Sequence, residues 1–451
     1  MFQETSFSQL PMTELLREEG FSCKCGKHHF SDVKEVSVGH GVLKQLPNMV
    51  RKYGGKKPFL IADRNTYHAA GEKTESLLKE SAMDFVSYIY LQEQLEPDEF
   101  AVGQAAMNFN KSCDFIVAVG SGTINDIGKI LAMVTGLPYI IVGTAPSMDG
   151  FASNTSSMIS DGVKVTLQSA CPVAVLADLD IVCQAPKKML QAGLGDMLAK
   201  YISICEWRIS NLINGEYYCA EVASLVRRSL NRCVQSVEAL KNRDSKAIEN
   251  VIEGLILSGI AMGFAGISRP ASGVEHYFSH VWDMRSLEFQ TNSDLHGIQV
   301  GIGTVLALKI YSRVIQIKPD KARALKYVDR FGQEKHNNFL KEFLGSSAEN
   351  LILLEKKEGK YDKTKHKERL ETIFDNWQEI LNIVDEELPT VDNVINLLST
   401  LDAPIDPNAL GFTKEDVRKA FIATKDIRDK YSVSRLLWDL GMLDEVADVC
   451  F

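Results

Sequence analysis

The feature that most constrains this chain is a change of rhythm at Pro186. Before it, short apolar runs rich in β-branched residues recur between helix-length segments, at 59–62, 85–90, 115–119, 139–142 and 173–176. The runs do not alternate apolar with polar, as a half-exposed strand would. They read as strands buried on both faces, in a parallel sheet covered by helices. The stretch 158–165 adds a hairpin, with Asp161-Gly162 as its turn. From Lys187 onward the period is helical almost to the end, as at 189–207, 248–267 and 298–315. Thr413, with Asp416 three positions on, marks a helix start. The expectation is an α/β domain over 1–185 with a mostly parallel sheet, followed by an all-α domain over 186–451.

Size and charge fit that division and exclude some functions. A chain of 451 residues is long enough for two domains. Its net charge of -9 argues against a general nucleic-acid binder, which shows a basic footprint. An anionic small substrate stays compatible, because one metal and a few Lys or Arg can reverse the field inside a cleft. No uninterrupted apolar run reaches the roughly 20 residues of a membrane span. The uncharged stretch 254–268 reads as a buried helix, and the N-terminal segment lacks the basic and apolar regions of a signal peptide. Nine cysteines spread over the chain suit reduced thiols in the cytoplasm better than a disulfide framework. The charge-dense stretch 355–369 reads as a solvated helix end or loop.

Two successive strands end in small-residue loops. The first is Gly120-Ser-Gly-Thr-Ile-Asn-Asp-Ile-Gly-Lys129, a strand-to-helix turn. Gly120 and Gly122 let the backbone approach a ligand, and the helix start offers N–H groups to an anion. The turn matches neither the dinucleotide fingerprint nor the P-loop, and in isolation an ordinary tight connection explains it better. The second is Gly143-Thr-Ala-Pro-Ser-Met-Asp-Gly-Phe-Ala-Ser153. Two such loops at carboxyl ends of strands favour a nucleotide site there.

Three of the nine histidines lie between His276 and His296. His276 and His280 are four apart, hence on one helix face, and His296 opens the next helix. Asp196, in Gly193-Leu-Gly-Asp196, lies at or near a helix start. One carboxylate and two imidazoles can form a ligand set for Zn²⁺, Ni²⁺ or Fe²⁺ with positions left for substrate, although by spacing alone such histidines are more often ordinary core or surface residues. A second pattern, Cys23-Lys-Cys25-Gly-Lys-His28-His29, carries metal-binding residue types. Its spacing matches no zinc ribbon, so it reads as a turn.

Taken together, these motifs resemble the sn-glycerol-1-phosphate dehydrogenases in their bacterial branch, within the superfamily of dehydroquinate synthases, glycerol dehydrogenases and iron-type alcohol dehydrogenases. The resemblance runs through the Gly120 turn, Thr144-Ala-Pro-Ser-Met-Asp149-Gly, Ala192-Gly-Leu-Gly-Asp196, Ser268-Arg-Pro-Ala-Ser-Gly-Val-Glu-His276-Tyr-Phe-Ser-His280 and Leu295-His296-Gly. It implies a Rossmann-like NAD(P)-binding domain and a helical domain that holds one divalent metal. Asp196, His276 and His296 are the implied metal ligands. Gly120, Ser121, Gly122, Asp126, Lys129, Thr144 and Ser153 are the implied cofactor contacts. Asp63 is implied at the adenosine ribose, where its charge favours NADH over NADPH. Asp149 falls where relatives bring a carboxylate to the polyol hydroxyls. His280 is either a proton relay or a packing residue, and Lys200 and Arg269 are candidates for the substrate phosphate.

Some iron-type relatives carry a fourth ligand, a His four residues after the ligand Asp. Here that position is Lys200, which favours Zn²⁺ or Ni²⁺ over Fe²⁺. The implied reaction is reduction of dihydroxyacetone phosphate to sn-glycerol 1-phosphate by NAD(P)H. A glycerol or other polyol dehydrogenase is the nearer alternative. A dehydroquinate synthase-like lyase is the more distant one, since those enzymes usually show Glu at the first metal position. Relatives are commonly homo-oligomers.

Overall fold

The computed structural model describes residues 6–291 and 293–451. Residues 1–5 of the segment read above for a signal peptide lie outside them. The chain divides into two compact units, one of residues 1–197 and 219–268, the other of residues 198–218 and 269–451.

The first unit holds all the strands: β1 (Phe21–Ser22), β2 (His28–His29), β3 (Glu35–Gly39), β4 (Pro58–Asp63), β5 (Val86–Tyr90), β6 (Phe115–Gly120), β7 (Tyr139–Gly143), β8 (Thr155–Ser160), β9 (Val163–Gln168) and β10 (Ala174–Asp178). Six of them form one sheet in the order β3-β10-β7-β6-β4-β5, and every pairing in it is parallel. β6, β7 and β10 are buried along their whole length, as their continuous apolar runs require. Leu60, Val117, Val119, Ile140, Val142 and Leu176 form the centre of the core on one face of the sheet. The edge strand β3 has no apolar run to announce it. It is half-buried and is held by its register with β10.

The expected hairpin is β8–β9, and its turn residues Asp161 and Gly162 both adopt positive φ. From β4 the chain moves to β5 on one side, then crosses to β6 on the other. The sheet therefore reverses direction between β4 and β6, and ligands bind outside the carboxyl ends of strands at such a reversal. Asp63 and Gly120 stand at those two carboxyl ends.

Helix Ser245–Ala265 also belongs to the first unit. It is the one helix among the described residues long and apolar enough to cross a membrane, and 72% of its apolar window is buried inside the fold.

Among the described residues, every regular element of the second unit is a helix. The helix expected over 189–207 is two helices, Lys187–Leu198 and Lys200–Asn214, broken at Ala199. Asp196 therefore sits in the last turn of the earlier helix rather than at a helix start. Thr413 caps helix Lys414–Thr424 in a reciprocal box with Asp416. The charge-dense stretch is only partly solvated. Lys356, Lys357, Glu358 and residues 362–365 are exposed, but Glu355 and His366 are buried. Glu355 extends the buried face of Ala348 and Leu351, and His366 that of Leu370 and Ile373, which composition alone does not reveal.

Candidate functional site

In the first unit the loop after β6 leads into helix Gly122–Thr135. Its N-cap, Ser121, makes no capping bond with its side chain and shares a hydrogen bond with the Ser147 hydroxyl instead. The first N–H groups of that helix stand at the sheet reversal, where an anion finds both unsatisfied donors and the positive helix end. The Thr144 N–H donates to the Gly120 carbonyl, so the two small-residue loops are tied together.

Lys129 is fully buried. Its ammonium donates to the Gly150 carbonyl, to Ser153 Oγ at 2.9 Å and to the Thr155 carbonyl at 2.9 Å. Asp126 lies 3.9 Å away, and burial pushes its carboxyl up to about 6 against the pull of Lys129. Lys129 and Ser153 thus fix the 150–155 segment from behind, and Asp126 accepts from the Ser157 N–H at 3.3 Å just beyond it. Asp63 caps the helix that follows β4, accepting from Thr66 N–H at 2.8 Å through Oδ1.

The same unit brings Asp149 and Asp196 together. The Asp149 N–H donates to Asp196 Oδ2 at 2.9 Å, and Ser258 Oγ donates to Asp149 Oδ2 at 2.8 Å. Gly193 makes this approach feasible. A Cβ there would stand 1.9 Å from the Pro146 carbonyl oxygen, so any larger residue would push the Asp196 helix off the Asp149 loop. Asp196 is fully buried.

In the second unit, His276 and His280 lie on helix Val274–Phe289, and His296 opens helix His296–Val314. The two helices come close because Gly303 has no side chain. A Cβ there would stand 2.4 Å from the Glu275 carbonyl oxygen. The His276 and His296 rings are 5.1 Å apart between centroids, and His280 and His296 are 6.3 Å apart. His276 Nδ1 lies 2.8 Å from Glu275 Oε1, and His296 Nδ1 lies 3.1 Å from Ser279 Oγ. A carboxylate only accepts, so His276 donates from Nδ1 and a neutral ring carries its lone pair on Nε2. That carboxylate–imidazole arrangement is the usual support of a metal-binding histidine.

Glu275 is itself fixed by the Gly273 N–H at 2.7 Å. Glu206 accepts from Val274 N–H at 3.0 Å and Val433 N–H at 2.8 Å, and burial beside Glu275 pushes its carboxyl up to about 8.

Lys200 is fully buried and donates to the Ala271 carbonyl at 3.3 Å. Arg269, 1% exposed, binds both oxygens of Glu216, the Tyr431 carbonyl at 2.9 Å and Ser210 Oγ at 3.1 Å. Lys430, a residue the sequence reading did not single out, donates to the Ser272 carbonyl at 3.2 Å. Burial among Arg269 and Arg428 pushes its ammonium down to about 7. Lys200, Arg269 and Lys430 all hold or adjoin the segment 269–272, through backbone contacts that residue spacing cannot report. Glu275 had a signal in its adjacency to His276, whereas Ser258, Glu216 and Lys430 had none. A cavity of about 950 Å³ in the second unit, bordered by Arg323, Lys335, His336 and Lys425, contains none of these candidate residues.

Comparison with known proteins places the chain among dehydrogenases. Residues 37–186 match the family described as iron-containing alcohol dehydrogenase. A protein of Halalkalibacterium halodurans named glycerol-1-phosphate dehydrogenase [NAD(P)+] is 38% identical over 294 residues, covering 64% of this chain and 73% of the relative. Proteins of the same name from Bacillus subtilis and Methanosarcina mazei are 34% and 30% identical, covering 63% and 62% of this chain and 73% and 76% of the relatives. Among solved structures, glycerol dehydrogenase from Schizosaccharomyces pombe superposes with a TM-score of 0.59 at 16% identity, covering 96% of this chain and 93% of that one. Maleylacetate reductase from Rhizobium superposes with a TM-score of 0.60 at 13% identity, covering 93% of this chain and 97% of that one. At such identities the structures speak for the fold alone, but the sequence relatives go further: the chain belongs to the glycerol-1-phosphate dehydrogenase family.

Proposed function

We propose that this protein reduces dihydroxyacetone phosphate to sn-glycerol 1-phosphate with NAD(P)H, and that Asp196, His276 and His296 hold one divalent metal. The observation that carries the reading is the His276–Glu275 contact at 2.8 Å, because it fixes the tautomer a metal-binding imidazole needs. When bound, the nicotinamide supplies a hydride and the metal polarises the ketone oxygen as a Lewis acid. Zn²⁺ or Ni²⁺ suits a donor set of one carboxylate and two imidazoles.

The protein's own groups have the remaining work. The turn Gly120–Gly122 and the helix start after it receive the cofactor pyrophosphate, with Thr144 beside them. Asp126, Lys129 and Ser153 hold the neighbouring loop in shape. Asp63 meets the ribose hydroxyls and disfavours a 2′-phosphate, which favours NADH. Reduction adds hydride to the carbonyl carbon and leaves one proton to be delivered to its oxygen. His280 relays that proton, since an imidazole titrates near neutral pH. Asp149 orients the substrate hydroxyl, with Ser258 fixing its carboxylate. Lys200 and Arg269 provide positive charge for the phosphate in an otherwise acidic chain.

The test is NADH oxidation with dihydroxyacetone phosphate in the presence of Zn²⁺, Ni²⁺ or Fe²⁺, with the chirality of the product determined. Metal-dependent turnover to sn-glycerol 1-phosphate is expected. Equal efficiency with unphosphorylated dihydroxyacetone would move the assignment to a glycerol dehydrogenase. Full activity of metal-free Asp196→Ala protein would overturn the metal assignment.

A further inference from the structure

The turn near the N-terminus does more than reverse the chain. β1 and β2 form a two-residue ladder, and between them the Cys23 N–H donates to the Lys27 carbonyl at 3.1 Å, closing the turn. The turn points Cys23 and Cys25 to the same side as His29. The fourth member arrives from far along the chain. Cys219, the N-cap of helix Ala220–Gln235, is buried against the same three side chains. The four candidate ligand atoms all lie within 4.8 Å of one another, and all four residues belong to the first unit.

The spacings fit a tetrahedral ion. With Zn–S near 2.3 Å and Zn–N near 2.0 Å, tetrahedral geometry sets the S···S edge at about 3.8 Å and the S···N edge at about 3.5 Å. Cys23 Sγ and Cys219 Sγ are 3.7 Å apart. Cys25 Sγ and Cys219 Sγ lie 3.3 Å and 3.5 Å from His29 Nε2. A disulfide would need about 2.05 Å between sulfurs.

The histidine is prepared for a metal from its other side. His29 is fully buried, and its Nδ1 lies 2.7 Å from the Phe264 carbonyl oxygen. A carbonyl only accepts, so Nδ1 carries the proton and Nε2 carries the lone pair that faces the sulfurs. Phe7 and Phe264 pack their rings 5.3 Å and 5.8 Å from the imidazole, which shields that ring from water. Lys27 donates to the Ala265 carbonyl at 3.0 Å, so the last turn of helix Ser245–Ala265 is tied to the same hairpin.

We propose that Cys23, Cys25, His29 and Cys219 bind a structural Zn²⁺ ion. Three thiolates and one imidazole fill four positions, so no place is left for substrate, and the chemistry is that of a closed site. The ion would join the N-terminal hairpin to helix Ala220–Gln235, a link the small apolar contact of a two-residue ladder cannot provide alone. The inference is independent of the proposed reaction, since none of these residues takes part in it.

Zinc content of purified Asp196→Ala protein, grown with zinc and measured by elemental analysis, isolates this site from the proposed catalytic one. One equivalent is expected, and adding Cys25→Ser should remove it. Cys25 lies in a partly exposed turn, so that change leaves the packed core in place. Loading the Asp196→Ala protein with Co²⁺ should give thiolate-to-cobalt charge transfer and the intense visible bands of a tetrahedral ion. Both should vanish with Cys219→Ser. Absence of zinc from Asp196→Ala protein together with absence of the cobalt bands would overturn the proposal, as would a Cys23–Cys219 disulfide in protein prepared without oxidant.

Discussion

Individual side chains here carry their meaning through their partners. His276 is a candidate ligand because Glu275 holds its Nδ1, and the pair makes a direct prediction. Glu275→Gln should weaken metal affinity by about 10- to 100-fold, the usual cost of losing such support. Competition titration against a chromophoric chelator measures it, and unchanged affinity would leave Glu275 with only its backbone bond to Gly273.

Arg269 has two roles that one substitution separates. It binds both oxygens of Glu216, so Arg269→Ala should cost about 3 kcal/mol of stability, as breaking a buried ion pair does. A role at the substrate phosphate adds a second effect, a raised KM for dihydroxyacetone phosphate. If thermal stability falls while that KM stays unchanged, Arg269 positions the 269–272 segment and does not touch substrate.

At the scale of elements, two close helix approaches set the candidate site. Helix Lys187–Leu198 meets the Thr144–Asp149 loop at Gly193, and helices Val274–Phe289 and His296–Val314 meet at Gly303. Gly193→Ala would place a methyl group 1.9 Å from the Pro146 carbonyl oxygen. The helix or the loop must then move, at a cost of about 1–3 kcal/mol. Because the Asp149 N–H bond to Asp196 crosses that approach, the variant should lose kcat more than stability predicts. Steady-state kinetics beside thermal unfolding will show it, and kinetics equal to the parent's would mean the loop tolerates the shift.

The elements themselves were legible where their pattern was local. The buried strands β4, β6 and β7 appear as continuous apolar runs, and the hairpin turn as Asp161-Gly162. The break at Ala199 was not legible, because the apolar period continues across it. β3 leaves no local signal, because an edge strand needs only one partner and little apolar sequence.

At the scale of the whole molecule, burial of charge decides how stability responds to pH. Glu355 is 1% exposed, and burial beside Asp426 pushes its carboxyl up to about 8. The folded state therefore keeps a proton that the unfolded chain gives up near its ordinary value of 4.5. Proton uptake on folding makes this contribution full below that value, and it is lost as pH rises towards 8. Glu355→Gln should flatten the decline in Tm across that window. Parallel curves for the variant and the parent would mean that Glu355 is ionised in the folded protein.

The sequence by itself determined the α/β-then-helical order of the chain, the small-residue loops at the strand ends, and the His276, His280 and His296 group, because each is written in neighbouring residues. The resemblance that assigned roles to them rested on the same local motifs. Tertiary structure decided what distance along the chain conceals. It put Glu216 on Arg269, Ser258 on Asp149, a buried Glu355 inside a charged stretch, and Cys219 beside Cys23, Cys25 and His29. Local pattern fixes which face an element buries, but which distant side chain meets it there is set only when the packed elements close around it.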